Sequence, residues 1–372
     1  MNARNALSAL GLLLTIGCAL LPEDDPRADK DTRMFDAAYY KQNAAEYFQG
    51  RQYPRAREQF VKYLELEPDS WTGRLGLAFT DYYIARDFVV SRGDLAAARE
   101  RTELAEKSFR ELWDGTIEGS TETADPRRPQ WKAALGVAMS VRQLGVLDGL
   151  EADRWEAEAR KGGKSAEEAL KRGVDAEARR DKRYREAVAI YEKLVAQEAA
   201  SAQSISDLAE LHVVLKQDAK AEALYLRWLD AAKRTREGLT SRKTEAASIS
   251  DREAKTLSMK FLDEKLESNA EKQADVLSDL AGLAWARGEW QRGRAWIEQA
   301  VETAPRRTEF LLKLAQFEDK LMMYETGITH IDAYLKDRTA RNLEFDDAAA
   351  EALRLRKRMQ AEIDRRPKPR GG

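Results

Sequence analysis

The chain is 372 residues long, 43% apolar and 34% charged, with 63 Lys and Arg against 65 Asp and Glu for a formal net charge of −2. That near-balance, with no half of the chain strongly one-signed, gives no drive toward nucleic acid. A single Cys excludes a disulfide framework within one chain, and two His leave a transition-metal site poorly supplied. With only nine Pro, and Ala, Glu, Leu, Arg and Lys dominant from Asp36 onward, the composition predicts long helices and an all-α fold.

Residues 1–17 pair a short segment, Met1 to Arg4, carrying one positive charge with an apolar run from Ala6 to Ile16 that closes on Gly17. This is the layout of a secretory signal. Even extended to Leu21, the run is shorter than the roughly 20 residues that span a hydrocarbon core, and Glu23-Asp24-Asp25 follows at once. Leu14-Thr15-Ile16-Gly17-Cys18 resembles the lipobox of bacterial lipoproteins, in which a small residue precedes a cysteine that is acylated and becomes the new amino terminus. Thr15 stands where that motif usually has Leu. The resemblance implies a signal peptide over 1–17 and a lipid anchor on Cys18, since two or more acyl chains hold a protein durably to a membrane. Ala19, where Asp would favour inner-membrane retention, implies an outer-membrane anchor facing the periplasm. Ordinary cleavage after Ala19, an uncleaved anchor and a buried cysteine are the alternatives. From Pro22 to Arg33, ten of twelve residues are charged or Pro, so 18–33 reads as a solvated tether.

The folded part, 34–345, opens on a unit in which Tyr40, Ala44, Tyr47, Tyr53, Ala56, Phe60 and Pro68 alternate large and small residues at helical spacing. Leu77-Ala78 begins a second unit, whose turn at Gly93-Asp94-Leu95 comes late and is followed by Ala98 and Ala105. Trp131, Leu135 and Gly136 open another, with Tyr184, Ala187, Tyr191 and Leu194 on its second helix, and Leu208-Ala209, Ala221, Tyr225 and Trp228 mark one more. Toward the end the chain matches itself at a spacing of 34. Leu277 and Leu311, Leu280 and Leu314, Ala281 and Ala315, Gly293 and Gly327, and Ile297 and Ile331 are identical pairs. In period and residue pattern these units resemble the tetratricopeptide (TPR) repeat, two antiparallel helices per unit. The resemblance implies a right-handed TPR-type solenoid of about six helix pairs. Gly293, where the family usually has Ala, reads as a small-for-small change.

Two insertions, about 151–183 and 231–272, are dense in both charge signs. Capping boxes at Ser165 with Glu168 and at Ser250 with Glu253 predict new helices there, projecting from the stack or lengthening its arms. Asp346 to Arg366 spaces Ala348, Ala352, Leu355, Met359 and Ile363 by threes and fours, the single apolar stripe of a capping helix. Residues 367–372 read as a disordered basic tail.

No catalytic set assembles from these residues. Gly163-Lys164-Ser165 lacks the earlier glycine of a phosphate-binding loop, and His212 and His330 lie on repeat helices as packing or surface residues. No enzyme activity, cofactor, metal, nucleic acid or small-molecule substrate is expected. In the TPR family the late part of each first helix faces the concave, ligand-binding side. That resemblance implies a protein-binding groove lined by Lys41, Asp275, Ser278, Gly282, Trp285, Glu309, Leu312, Gln316 and Asp319. Ala45 replaces the Asn of the carboxylate-clamp subfamily, which argues against recognition of a chaperone-type carboxyl terminus. The expectation is a lipid-anchored TPR adaptor or assembly factor of the bacterial cell envelope that engages another protein or peptide. A soluble cytoplasmic TPR scaffold, or an envelope enzyme with its site in an insertion, is the alternative.

Overall fold

The computed structural model describes residues 36–91, 93–113, 129–163, 165–197, 201–344 and 346–366. Cys18, the signal and the tether, along with the tail 367–372, lie outside the described residues. Thirteen α-helices and no strand occur among the described residues, and the chain divides into two compact units, one ending at Leu215 and one beginning at Lys216.

The first unit holds α1 (Ala37–Gln49), α2 (Tyr53–Leu66), α3 (Trp71–Val90), α4 (Leu95–Leu112), α5 (Pro129–Arg160), α6 (Ala166–Ala196) and α7 (Ala202–Val214). Each helix packs against its sequence neighbours, so contacts stay local, as in a repeat protein. Side chains start several of these helices. Asp36 accepts from the Tyr39 N–H, Ser70 from that of Gly73, and Asp94 from those of Ala96 and Ala97, which satisfies amide groups that the first turn leaves unpaired. The late turn expected near Gly93 arises because α3 runs on to Val90.

The second unit holds α8 (Asp218–Ala246), α9 (Arg252–Ala286), α10 (Trp290–Thr303), α11 (Glu309–Lys320), α12 (Tyr324–Ala340) and α13 (Asp347–Arg365). The 34-residue self-match is its core. Ile297 and Ile331 are both fully buried, as are Ala300 and Ala315, and each buried Ile contributes about 1.5–3 kcal/mol relative to exposure. Helix α13 covers the end of this stack, with Ala352, Leu355 and Met359 seated on Leu312, Ala315, Ile331 and Tyr334.

Both insertions lengthen existing helices. Residues 151–160 extend α5 and 166–183 open α6; 231–246 extend α8 and 252–272 open α9. The α5–α6 turn uses Gly162 and Gly163 with φ of 75° and 96°, a left-handed backbone that glycine adopts without a Cβ penalty. The expected capping boxes do not form. Ser165 is at the N-cap of α6 but in helical φ/ψ with no side-chain cap bond, and Glu168 instead accepts from Arg172. Asp251, not Ser250, caps α9, its Oδ1 accepting from the N–H groups of Glu253 and Ala254. One helix among the described residues is apolar and long enough to cross a membrane, Gln130–Arg160, and 72% of its apolar window is buried within the fold, as in a core helix.

Buried acids form a recurring clasp that composition does not reveal. Asp81, Asp148 and Glu318 each lie three residues after a small residue on a first helix: Ala78, Gly145 and Ala315. Asp81 accepts from Arg57 Nε at 2.8 Å and Arg101 Nη1 at 3.1 Å. Asp148 Oδ1 accepts from Arg99 Nη2 at 2.9 Å, while Arg183 Nε lies 2.9 Å from Oδ2 as an ionic approach without a directed hydrogen bond. Glu318 meets Arg294 Nη2 at 3.3 Å and His330 Nδ1 at 2.7 Å. Arg57, Arg99 and Arg294 each directly follow the small residue of the preceding second helix, Ala56, Ala98 and Gly293. One geometry is thus repeated three times, locking first helices to the helices on either side.

Candidate protein-binding surface

In the second unit, hydrogen bonds set α9, α11 and α13 side by side. Arg307 Nη1 donates to Asp275 Oδ1 at 2.6 Å and its Nε to Glu309 Oε1 at 2.6 Å. Lys313 Nζ donates to Ser278 Oγ at 2.6 Å, Gln316 Nε2 to Glu351 Oε1 at 2.9 Å, and Arg358 Nη2 to Asp319 Oδ2 at 2.5 Å. Five of the expected groove residues, Asp275, Ser278, Glu309, Gln316 and Asp319, therefore sit along one polar seam and are engaged within the chain. Lys41 belongs to the first unit, half-buried on α1.

Leu312 is a correction. It is buried in the cluster formed with Ala352, Leu355 and Met359, because α13 covers that side of α11, so its side chain is a core contact.

Gly282 and Trp285, one turn apart on α9, form the open part of the face. A Cβ at Gly282 would meet nothing within 4 Å. The Trp285 indole is 36% exposed and held edge-to-face by Trp290 at 4.9 Å and Phe317 at 5.0 Å between ring centroids. Lys320 Nζ rests 5.7 Å from the Trp285 ring and 5.8 Å from that of Trp290, with no acid in salt-bridge reach among the described residues. A rigid aromatic edge beside a backbone with no side chain suits an apolar anchor from another chain, and clamped aromatic rings lose little entropy on binding.

Asp279 lies on α9 next to this seam. Burial raises its carboxyl to about 7, opposed by the Lys313 ammonium and a Tyr225 hydrogen bond and reinforced by Asp275. Burial also pushes the Lys313 ammonium down. The sequence reading passed over both groups, although Asp279 is one turn beyond Asp275 and Lys313 one turn beyond Glu309. His212 is buried on α7 with Glu192 3.7 Å away, and His330 is engaged by Glu318. No cluster of three or more His, Cys, Asp or Glu that could hold a metal occurs among the described residues.

The paired antiparallel helices, their 34-residue self-match and the capping helix define a TPR-like helical-repeat protein. No protein-family model matches the chain, and no curated protein matches it in sequence. Solved structures align along most of its length. The assembly chaperone of RpL4 (Acl4, residues 1–338) matches at 12% identity over 88% of this chain and 97% of its own, with a TM-score of 0.37. The nuclear import adaptor Nro1, a hypoxic regulator of sterol synthesis, matches at 11% identity over 86% and 94%, with a TM-score of 0.38. The TPR2AB domain of yeast Sti1, solved with pHSP90, matches at 12% identity over 87% and 98%, with a TM-score of 0.24. At these scores the alignments carry nothing about what this chain binds.

Proposed function

We propose that the chain is a TPR-type adaptor that engages a partner protein through the α9–α11 face of its second unit. The observation that carries this reading is the open Gly282–Trp285 step, a clamped indole beside an uncovered glycine, at the position where the TPR family binds its ligands. The neighbouring seam is neutralised by internal hydrogen bonds, so apolar contact at the step supplies affinity and the seam supplies register. Gly282→Arg tests this reading. The new side chain enters open space and improves on glycine's helix propensity, so the fold survives while the step is blocked. Unchanged partner recovery with this variant contradicts the reading.

We further propose that the adaptor is held at the outer membrane of a bacterial envelope, facing the periplasm, by acyl chains on Cys18. The support is the short apolar run ending at Gly17-Cys18 and the charged tether after it. Cys18→Ala then releases the protein from membranes with its helical content intact. Continued sedimentation of that variant with membranes, together with no labelled fatty acid on the wild type, contradicts the anchor.

A further inference from the structure

Helix α9 carries one stripe that runs unbroken from the α8–α9 arm into the body of the second unit. Alternating steps of four and three residues connect Leu257 to Trp285, a rise of about 42 Å. Its arm half holds Leu257, Phe261, Glu264 and Ser268. Its body half holds Asp275, Ser278, Gly282 and Trp285, and Glu271 and Lys272 stand where the two halves meet. Leu257 is 63% and Phe261 is 56% exposed. Helix α8 covers the opposite side of α9, where Leu262 is buried and Lys243 reaches Asp263, so the stripe is left open.

The two halves complement each other when the stripe is laid antiparallel on a second copy of itself. Turning it about Glu271 and Lys272 sets Leu257 on Trp285 of the second copy. Phe261 then enters the space at Gly282 where a Cβ would meet nothing within 4 Å, a ring as knob and a glycine as hole. Ser268 opposes Asp275, and Glu264 opposes Ser278 with the Lys313 ammonium that covers it. At the axis Glu271 faces Lys272 and Lys272 faces Glu271, two ion pairs from one relationship. A stripe of this period drifts about 20° per heptad on a straight helix, which gives the two α9 helices a left-handed wrap.

Charge favours the same pairing. Glu253, Glu264 and Glu271 on the arm half have no salt-bridge partner within the chain among the described residues. On the receiving side the acids are engaged, Asp275 by Arg307 and Asp319 by Arg358, while Lys313 lies over Ser278 and Lys320 over Trp285. Glu253, one turn before Leu257, falls toward Lys320 of the second copy. Lys260 and Lys265 sit at the two edges of the arm's stripe, Lys265 against the Phe261 ring. Lys272 is half-buried with no acid of its own chain in salt-bridge reach among the described residues, and burial, with Lys265, pushes its ammonium down.

We infer that a second copy of this chain docks on the Gly282–Trp285 step, each copy laying its α8–α9 arm along α9 of the other in a two-fold dimer. The step is incomplete alone, because Phe261 lies about 30 Å from Gly282 along its own helix and fills the step only from another molecule. This rests on the step being a docking surface, and it names the occupant in the isolated protein.

The test is sedimentation equilibrium of the full chain in a Cys18→Ala background, so that no acyl chain contributes. A concentration-dependent monomer–dimer equilibrium is expected, with a dissociation constant that rises at least about tenfold in Phe261→Ser and in Gly282→Arg. Glu271→Lys sets cation against cation at the axis and Lys272→Glu sets acid against acid, so each variant alone should be monomeric where the parent is a dimer. Mixed, the two pair cation with acid at both contacts and should form a heterodimer. Association through residues 1–17 is common to every variant and cannot be lost in each and restored in the mixture. Helical circular dichroism should be unchanged in all four variants, since none replaces a core side chain. A parent that stays monomeric, Gly282→Arg that dimerises like the parent, or a mixture no more dimeric than its components overturns the inference. The docking surface is judged separately, by photo-crosslinking from Gln316. A monomeric parent whose crosslink to another protein disappears in Gly282→Arg keeps the step and loses the second copy, whereas a crosslink that persists removes the step itself.

Discussion

The Phe317 ring occupies the space in which Gly293 has no side chain: a Cβ built on Gly293 would overlap that ring. This relationship joins α10 to α11 at the centre of the second unit, where Gly293, Ile297 and Phe317 are all buried. The glycine is therefore required by its neighbour, and is not interchangeable with the alanine that TPR repeats usually place there. Gly293→Ala gains about 1 kcal/mol of helix propensity but forces the ring to move, which costs about 1–3 kcal/mol. A net loss of about 1 kcal/mol is expected in urea denaturation, and Gly293→Ala/Phe317→Leu should recover it.

Asp148 is the clasp with the most cations. It is fully buried, and removing it leaves Arg99, Arg179 and Arg183 facing one another. Asp148→Ala should destabilise the first unit by about 3 kcal/mol, reduced if the partly exposed arginines turn to solvent. Hydrogen exchange localises the effect, with faster exchange expected in α4, α5 and α6.

The position of Met322 is a conformational cost that can be removed. It has φ of 59° in the α11–α12 turn, as Gly288 has φ of 74° in the α9–α10 turn. The Met322 side chain is exposed, and its carbonyl, which accepts from Arg366 Nη2 at 3.1 Å, remains in any substitution. Met322→Gly should raise stability by about 1 kcal/mol, read as a higher melting temperature.

The pH dependence follows from Asp279. Its carboxyl titrates near 7 in the folded chain, against the ordinary 3.8, so the folded state holds a proton that the unfolded state has released. Between these values, stability falls as pH rises, and the cost is fully present above about 7. The groups facing it are Tyr225 from α8, Asp275 from α9 and Lys313 from α11. Asp279→Asn should flatten the dependence of the unfolding midpoint between about pH 4 and about pH 7. An unchanged slope in that variant assigns the dependence to another group.

Much of the fold was legible in the sequence because repeat packing is written in small and apolar residues. Leu280, Ala281, Ile297, Ala315 and Ile331, chosen for their recurrence, are all buried. The helix pairs followed from them, and the capping helix from its own stripe of Ala348, Ala352, Leu355, Met359 and Ile363. What was not legible depends on neighbours distant in sequence. Leu312 matches Ser278 by repeat position, but α13 packs over it. Asp81, Asp148 and Glu318 have no sequence signal that sets them apart from surface acids, because the arginines that hold them come from neighbouring helices. Ser250 and Asp251 are both competent caps, and only the backbone of the turn decides between them. Gly282 and Trp285 were found by their repeat position, whereas the openness at Gly282 and the clamping of Trp285 by Trp290 and Phe317 are properties of the folded unit.

The most direct test of partner binding places a photo-crosslinking residue at Gln316, on the α9–α11 face, and in a control protein at Glu302, exposed on α10. Illumination in native membranes is expected to yield a discrete protein adduct from position 316 and none from position 302, with the adduct lost when Gly282→Arg is added. An adduct that persists with Gly282→Arg, or equal labelling from both positions, contradicts a binding site at the Gly282–Trp285 step.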